Sequence, residues 1–314
     1  MPIRNRLTKL LDIEHPVLLA PMDLVSGGRL AAAVSQAGGL GLLGGGYGNA
    51  EWIEREWGRA GNGRIGCGFI TWSIAKNPDV LHRALVHRPA AVMLSFGDPR
   101  PFGEIIKAAG SKLICQVQTL AHARQAIEAR ADVIVAQGTE AGGHGMSSPL
   151  MTFLPQVVDL VVDACPDTPV VAAGGIADGR GFAAAFALGA EGVMMGTRFM
   201  SSAESPVHPN WKQAITDSAV TLNIAPGMPG ITMRVADTEL AQAVFRGDVD
   251  PAGNPYAGPF LEAFEHGRLD KAMVGCGESA TLIGAVKSVA EIVAETVDGF
   301  WAEVERLAAM LPRR

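Results

Sequence analysis

Eight short apolar runs recur along the first two-thirds of the chain, and they limit its fold more than any other feature. They lie at 16–21 (PVLLAP), 40–43 (LGLL), 65–70 (IGCGFI), 91–96 (AVMLSF), 112–117 (KLICQV), 132–136 (DVIVA), 169–173 (PVVAA) and 191–195 (EGVMM). Runs this short, stopped by glycine, proline or a polar turn, read as fully buried parallel strands. Between them, 28–37, 49–59, 79–87, 101–109, 119–130, 153–165 and 179–188 read as amphipathic helices. Most runs begin about 19 to 26 residues apart, room for one strand and one helix. Eight such units predict an α/β fold, a (β/α)8 or TIM barrel. A doubly wound open sheet is the runner-up. It has fewer strands, and its usual Gly-x-Gly-x-x-Gly is missing where the first run leads into Ala20-Pro21-Met22.

The 314 residues suffice for a barrel of about 250 residues plus an appendage. Regularity stops after the eighth run. Residues 201–271 carry PGMPG (226–230) and DPAGNPYAGP (250–259) with only short helical stretches. That is too long for a βα loop, so it is expected to cap the barrel mouth. Residues 279–311 read as a closing helix. Its stripe of Leu282, Ile283, Val286, Val289, Ile292, Val293, Val297, Phe300, Trp301, Val304 and Leu307 would return to the barrel wall. The expected division is therefore a barrel of 1–200 plus 272–314, with a small inserted cap of 201–271 between strand eight and the C-terminal helix.

Charge and cysteine usage narrow the partners. The 26 basic against 32 acidic residues, net −6 and without a Lys/Arg cluster, argue against nucleic acid. Cys67, Cys115, Cys165 and Cys276 are far apart and read as buried thiols of a reducing compartment. The N-terminus is too polar for a signal peptide, and no run of 18 apolar residues suggests a membrane span. A cytoplasmic protein, monomeric or homodimeric, acting on a small molecule is expected.

The chemistry should gather at the C-terminal ends of the strands. The sixth run leads into Gly138-Thr139-Glu140-Ala141-Gly142-Gly143-His144-Gly145, read as a loop. Its glycines let backbone approach a flat ligand, and His144 is the candidate acid/base, with a structural histidine the plainer alternative. Two turns suit a phosphate: Gly174-Gly175 after strand seven and Gly196-Thr197 after strand eight. Glycine turns expose amides, a following helix adds positive charge, and barrels commonly place phosphates there. With no Walker, zinc or serine-hydrolase motif present, a mononucleotide such as FMN fits best.

AQGTEAGGHG (136–145), AAGGIADGRG (172–181) and LGAEGVMMGTRF (188–199), in that order, resemble the nitronate monooxygenase, or 2-nitropropane dioxygenase, family. HPVLLAPM (15–22) and AAAVSQAGGLGLLGG (31–45) extend the likeness, which is close over 10–200 and weak after about 215. FMN-dependent enoyl-acyl-carrier-protein reductases and NADH:quinone reductases carry similar motifs. The resemblance implies an FMN-binding TIM barrel with His144 as catalytic histidine. It places Ala20, Pro21, Met22, Gly68, Phe69, Gln116, Gln118, Gln137, Ala141, Gly142 and Gly143 around the flavin ring, with Gln118 facing it by alternation. Ala173, Gly174, Gly175, Gly196 and Thr197 become the phosphate cradle. The expected reaction is oxidation of alkyl nitronates, propionate 3-nitronate among them, by dioxygen. The alternatives are an NAD(P)H-dependent reductase of a quinone or enoyl thioester, and a non-enzymatic flavin-binding accessory protein.

The remaining residues have plainer readings. His15 and His208 are expected to be structural, and His82, His87 and His122 solvated. Glu140 would orient its loop or touch a ligand, Trp72 and Ser73 would line the substrate pocket, and Met22, Met194 and Met195 would pack the barrel. Glu278 departs from the glycine-glutamine seen before the last helix of relatives.

Overall fold

All eight apolar runs form parallel strands of one sheet in the computed structural model, which describes residues 1–226, 230–250 and 258–311. In chain order the strands are β1 (Val17–Leu19), β2 (Leu42–Gly46), β3 (Gly66–Ile70), β4 (Ala91–Ser95), β5 (Lys112–Val117), β6 (Val133–Gln137), β7 (Gly143–Gly145), β8 (Val170–Ala173), β9 (Gly192–Met195), β10 (Thr221–Ile224) and β11 (Thr232–Ala236). The large sheet runs β1-β9-β8-β6-β5-β4-β3-β2. It closes where Leu19 N donates to Leu40 O at 3.0 Å and Leu40 N to Val17 O at 3.0 Å. A ring of eight parallel strands with helices outside it is the (β/α)8 barrel.

Strand alternation assigns each side chain to one side of the wall. Leu18, Leu42, Met93, Ile114, Val133, Val135, Val171 and Met194 fill the interior. Leu7 and Leu11, from the helix Arg6–Leu11, pack onto the same cluster. Cys115, Val117, Ile134, Ala136, Val193 and Met195 face outward to the helices. Each such aliphatic side chain taken out of water stabilises by about 1.5–3 kcal/mol. The same parity carries Gln116, two residues past Ile114, and Gln137, two past Val135, to the mouth.

Residues 201–271 differ from the expectation of short helices alone. They contain β10 and β11, an antiparallel pair, as well as helices Pro209–Thr216, Glu239–Arg246 and Gly258–Glu265. β11 also pairs antiparallel with β7. Gly143-His144-Gly145, expected as part of a loop, is thus the third strand of a small sheet. Parts of PGMPG and DPAGNPYAGP, at 227–229 and 251–257, lie outside the described residues.

The closing helix is shorter than expected, Val289–Ala308. Ser288 accepts from Glu291 N while the Glu291 carboxylate takes the Ser288 backbone N–H, a capping box that sets the start. Upstream, Glu278–Leu282 is a 3-10 turn, and Leu282 and Val286 are exposed, as is Leu307 near the helix end. Ile292, Val293, Val297 and Phe300 are buried, and Phe300 meets the Phe182 ring at 4.8 Å. Among the described residues no helix is long and apolar enough to cross a membrane.

Candidate active site

A cavity opens at the C-terminal ends of the barrel strands. Ala20, Pro21 and Met22 line it beyond β1, Phe69 on β3, Gln116 on β5 and Gln137 on β6. Ala141, Gly142, Gly143 and His144 form another wall, and Ala173, Gly174, Gly175, Gly196 and Thr197 a third. Fifteen of the seventeen residues expected at the site, the histidine included, therefore share one cavity. Gly68 and Gln118 do not line it. A Cβ on Gly68 would stand 2.3 Å from Pro21 Cγ, so this glycine lets Pro21 seat against β3. Gln118 lies beyond the end of β5, where alternation no longer holds. It is buried, donating to Gln137 Oε1 at 2.9 Å.

His144 enters the cavity from β7, its Cα opposite Met233 of β11. The Tyr47 hydroxyl lies 3.4 Å from its Nε2. Tyr47 and Phe96 both present T-shaped ring contacts to it, at 6.2 and 6.0 Å. Gln137 Nε2 donates to the His144 carbonyl at 3.1 Å, so the Gln118–Gln137 pair holds the strand from below. Burial disfavours the imidazolium and holds this histidine below its ordinary pKa. At neutral pH the imidazole is neutral.

The glycine turns suit the phosphate of a mononucleotide. Gly174 and Gly175 have φ of +108° and +72°, and a Cβ on Gly174 would lie 3.0 Å from Ala141 N. Side chains at these positions would strain the backbone and crowd the cradle. The expected helix contribution is altered, however. Asp178 accepts from Arg180 N and Gly181 N, so the start of helix Gly179–Ala187 is already capped by a carboxylate. The turn Thr197–Met200, behind Gly196, has no side-chain cap. Backbone amides at the glycine turns, neutral amides at Gln116 and Gln137 and apolar side chains such as Met22, Phe69 and Met194 fit FMN.

Several lining residues were not evident in the sequence, Asp23, Leu24, Tyr47 and Phe96 among them. Asp23 packs against Gly46, whose Cβ would lie 2.2 Å from Asp23 Cγ. Burial pushes this carboxyl up to about 7. Leu24 and Phe96 hold positive φ, 58° and 55°, at the cavity wall, a costly conformation for residues with side chains. Tyr47 follows the glycine run GGG that ends β2, a turn at the active end of the barrel and so the one available signal. From the inserted segment, Trp211, Met233, Phe260 and Phe264 also reach the cavity.

Other residues take lesser places. Glu140 accepts from Leu150 N at 3.0 Å and so orients its loop against the next helix. Trp72 and Ser73, expected to line the substrate pocket, do not line the cavity: Trp72 packs on Tyr47, and Ser73 donates to Tyr47 O at 2.7 Å. His208 caps its helix by accepting from Asn210 N. His122 is half-buried beside Gln118 Oε1, and His87 meets Glu54 and stacks on Trp57, so only His82 of the three is exposed. Burial pushes the Cys115 and Cys276 thiols up to about 12 and Cys67 higher still, which keeps them inert.

A closed (β/α)8 barrel with glycine turns suited to a phosphate and a half-buried histidine at its mouth is that of an FMN-dependent oxidoreductase. The chain belongs to the nitronate monooxygenase family, whose profile matches residues 4–59 and 73–299. It is 36% identical over 254 residues to a (3aS,4S,5R,7aS)-5-hydroxy-7a-methyl-1-oxo-octahydro-1H-indene-4-carboxyl-CoA dehydrogenase of Rhodococcus jostii, covering 77% of this chain and 68% of that one. FabK from Thermotoga maritima superposes with a TM-score of 0.88 at 33% identity, over 98% of this chain and 100% of that one. Nitroalkane oxidase from Streptomyces ansochromogenes superposes at 0.80 with 26% identity, over 95% and 99%.

Proposed function

We propose that this protein reduces a neutral conjugated carbonyl compound, a quinone or an enoyl thioester, with electrons from NAD(P)H. One observation carries this reading: no lysine or arginine lines the cavity among the described residues. Residues 227–229 and 251–257 contain none either, and Arg313 and Arg314 are the only such residues outside the described ones. The ionisable side chains at the wall are His144, neutral at neutral pH, Asp23, a carboxyl, and Tyr47. A nitronate is an anion, and an anion moved into a half-buried cavity without a cationic partner pays an uncompensated desolvation cost. A neutral planar carbonyl compound pays no such cost and fits between aromatic and thioether side chains.

Bound FMN supplies the two-electron exchange. The chain supplies the rest. A neutral imidazole donates an N–H to a carbonyl oxygen and steadies the charge that grows there. Tyr47 holds the ring edge-on, and Trp211, Phe260 and Phe264, from the inserted cap 201–271, exclude water above a barrel formed by 1–200 and 272–314. The dehydrogenase and FabK relatives support electron exchange with organic substrates at least as well as oxygen chemistry. Oxidation of alkyl nitronates by dioxygen is the second reading, favoured by the family profile.

Anaerobic mixing of the yellow holoenzyme with NADH and with NADPH tests the proposal. Rapid bleaching, reversed by a quinone or an enoyl thioester, is the expected result. A flavin that neither nucleotide reduces, while nitronates in air release nitrite, would overturn it.

A further inference from the structure

Arg234 is nearly buried, 8% exposed, although it carries a full charge. It follows Met233, the partner of His144, and its own Cα is opposite Gly143. Its Nε donates to Thr139 O at 2.9 Å. Its Nη1 donates to Thr221 Oγ1 at 3.1 Å and to Glu278 Oε1 at 2.5 Å. One guanidinium thus spans β10, the loop before β7 and the segment 275–278. The rigid planar fork fixes the directions of these three bonds, which a rotatable ammonium would not.

The segment 275–278 makes its own bonds to each part of the site. Cys276 N donates to Arg234 O, Gly277 N to Thr197 Oγ1 at 2.9 Å, and Glu278 N to Glu140 O at 2.9 Å. Gly142 lies so close beneath it that a Cβ would stand 2.4 Å from Cys276 C and Gly277 N. At Gly142 the glycine's bareness therefore admits this strap's backbone as well as the cavity. The strap joins the cradle residue Thr197 to the loop that carries the histidine, and Arg234 with Glu278 ties both to β11.

We infer that Arg234, paired with Glu278, is a positioning residue that sets His144 over the cavity and couples its placement to the cofactor cradle. The inference rests on the reading of His144 as the working imidazole. If the arginine merely stabilised the inserted segment, its loss would lower thermal stability and leave the imidazole unchanged. If it positions the histidine, the loss lets β7 and the loop before it part from β11 and hydrates the ring. The titratable groups sharing the cavity with that ring are Tyr47 and Asp23, those on the paired strand and strap are Arg234, Cys276 and Glu278, and Glu140 stands on the adjoining loop.

The test uses FMN-loaded wild-type, R234M, R234K, E278Q, E278A and H144A proteins. Histidine NMR titrations, assigned by the signal that H144A lacks, give a readout independent of turnover. R234M is expected to keep its flavin, to move the His144 titration up toward ordinary histidine, and to lower kcat about 100-fold, the scale of a 1 Å misplacement. E278Q keeps an oxygen that accepts from the guanidinium and stays within about threefold of wild type. R234K, without the fork, falls between. An unchanged His144 titration and kcat in R234M would overturn the inference. Should R234M fail to fold, R234K and E278A decide by the same two measures. The NMR titration judges positioning alone, whereas full turnover by H144A would sink the role of His144 and leave the positioning result standing.

Discussion

The Tyr47 hydroxyl stands 3.4 Å from His144 Nε2, with the two rings edge to face at 6.2 Å. The turn after the second barrel strand thereby meets a strand that belongs to another sheet. The contact supports the histidine from the barrel side, opposite in origin to the support from β11. Tyr47→Phe removes the hydroxyl and keeps the ring. Losing one such hydrogen bond, worth about 1 kcal/mol, lowers kcat about fivefold with FMN binding unchanged. Steady-state kinetics beside flavin fluorescence titration checks this.

His144→Ala removes the only imidazole lining the cavity among the described residues. Turnover is expected to fall about 100- to 10,000-fold, the usual range for a positioned proton-handling group. The variant should remain yellow, because the residues fitted to FMN elsewhere are untouched. Its absorbance spectrum and kcat measure the two effects separately.

Burial lowers the pKa of His144 in the folded chain. The unfolded chain therefore binds the extra proton first as pH falls below about 6.5. Stability from the neutral ring is complete above that value and is lost as pH falls toward the folded pKa. Urea unfolding of wild type and H144A between pH 5 and 8 should show this slope in the wild type and a weaker one in the variant.

Asp23 titrates the other way. Its folded pKa of about 7 lies above the ordinary 3.8, so the folded chain keeps a proton that the unfolded chain has released. Its contribution is greatest below pH 4 and is lost as pH rises through 7. Asp23→Asn should therefore be nearly neutral at pH 4 and stabilising at pH 8, by about 1–3 kcal/mol once solvent screening is allowed for. Urea midpoints at the two values test the sign.

Gly142→Ala and Gly174→Ala separate the strap from the cradle. At Gly142 the new methyl meets backbone atoms 2.4 Å away, which cannot yield as a flexible side chain would. A loss of about 1–3 kcal/mol in stability is expected, read as a lower melting temperature. At Gly174, with φ +108° and Ala141 N 3.0 Å from the added carbon, the cradle itself distorts. There FMN affinity should fall about tenfold or more, a change of about 1.4 kcal/mol, measured by equilibrium dialysis.

What the chain's order of residues determined is what local physics determines. Strand and helix periods marked all eight barrel strands, and alternation past Ile114 and Val135 brought Gln116 and Gln137 to the mouth. The same alternation failed at Gln118 because β5 ends at Val117. Glycines marked the turns expected to hold a phosphate, and Gly174 and Gly175 do take positive φ, a property of single residues. The neighbours of His144 were decided only by tertiary pairing. Arg234 reaches Thr139 across 95 positions and Gly277 reaches Thr197 across 80. Asp23 owes its raised pKa to burial against Gly46, and β7 is a strand only because β11 lies beside it. Such pairings depend on which surfaces meet after the chain has closed, and no local period records them.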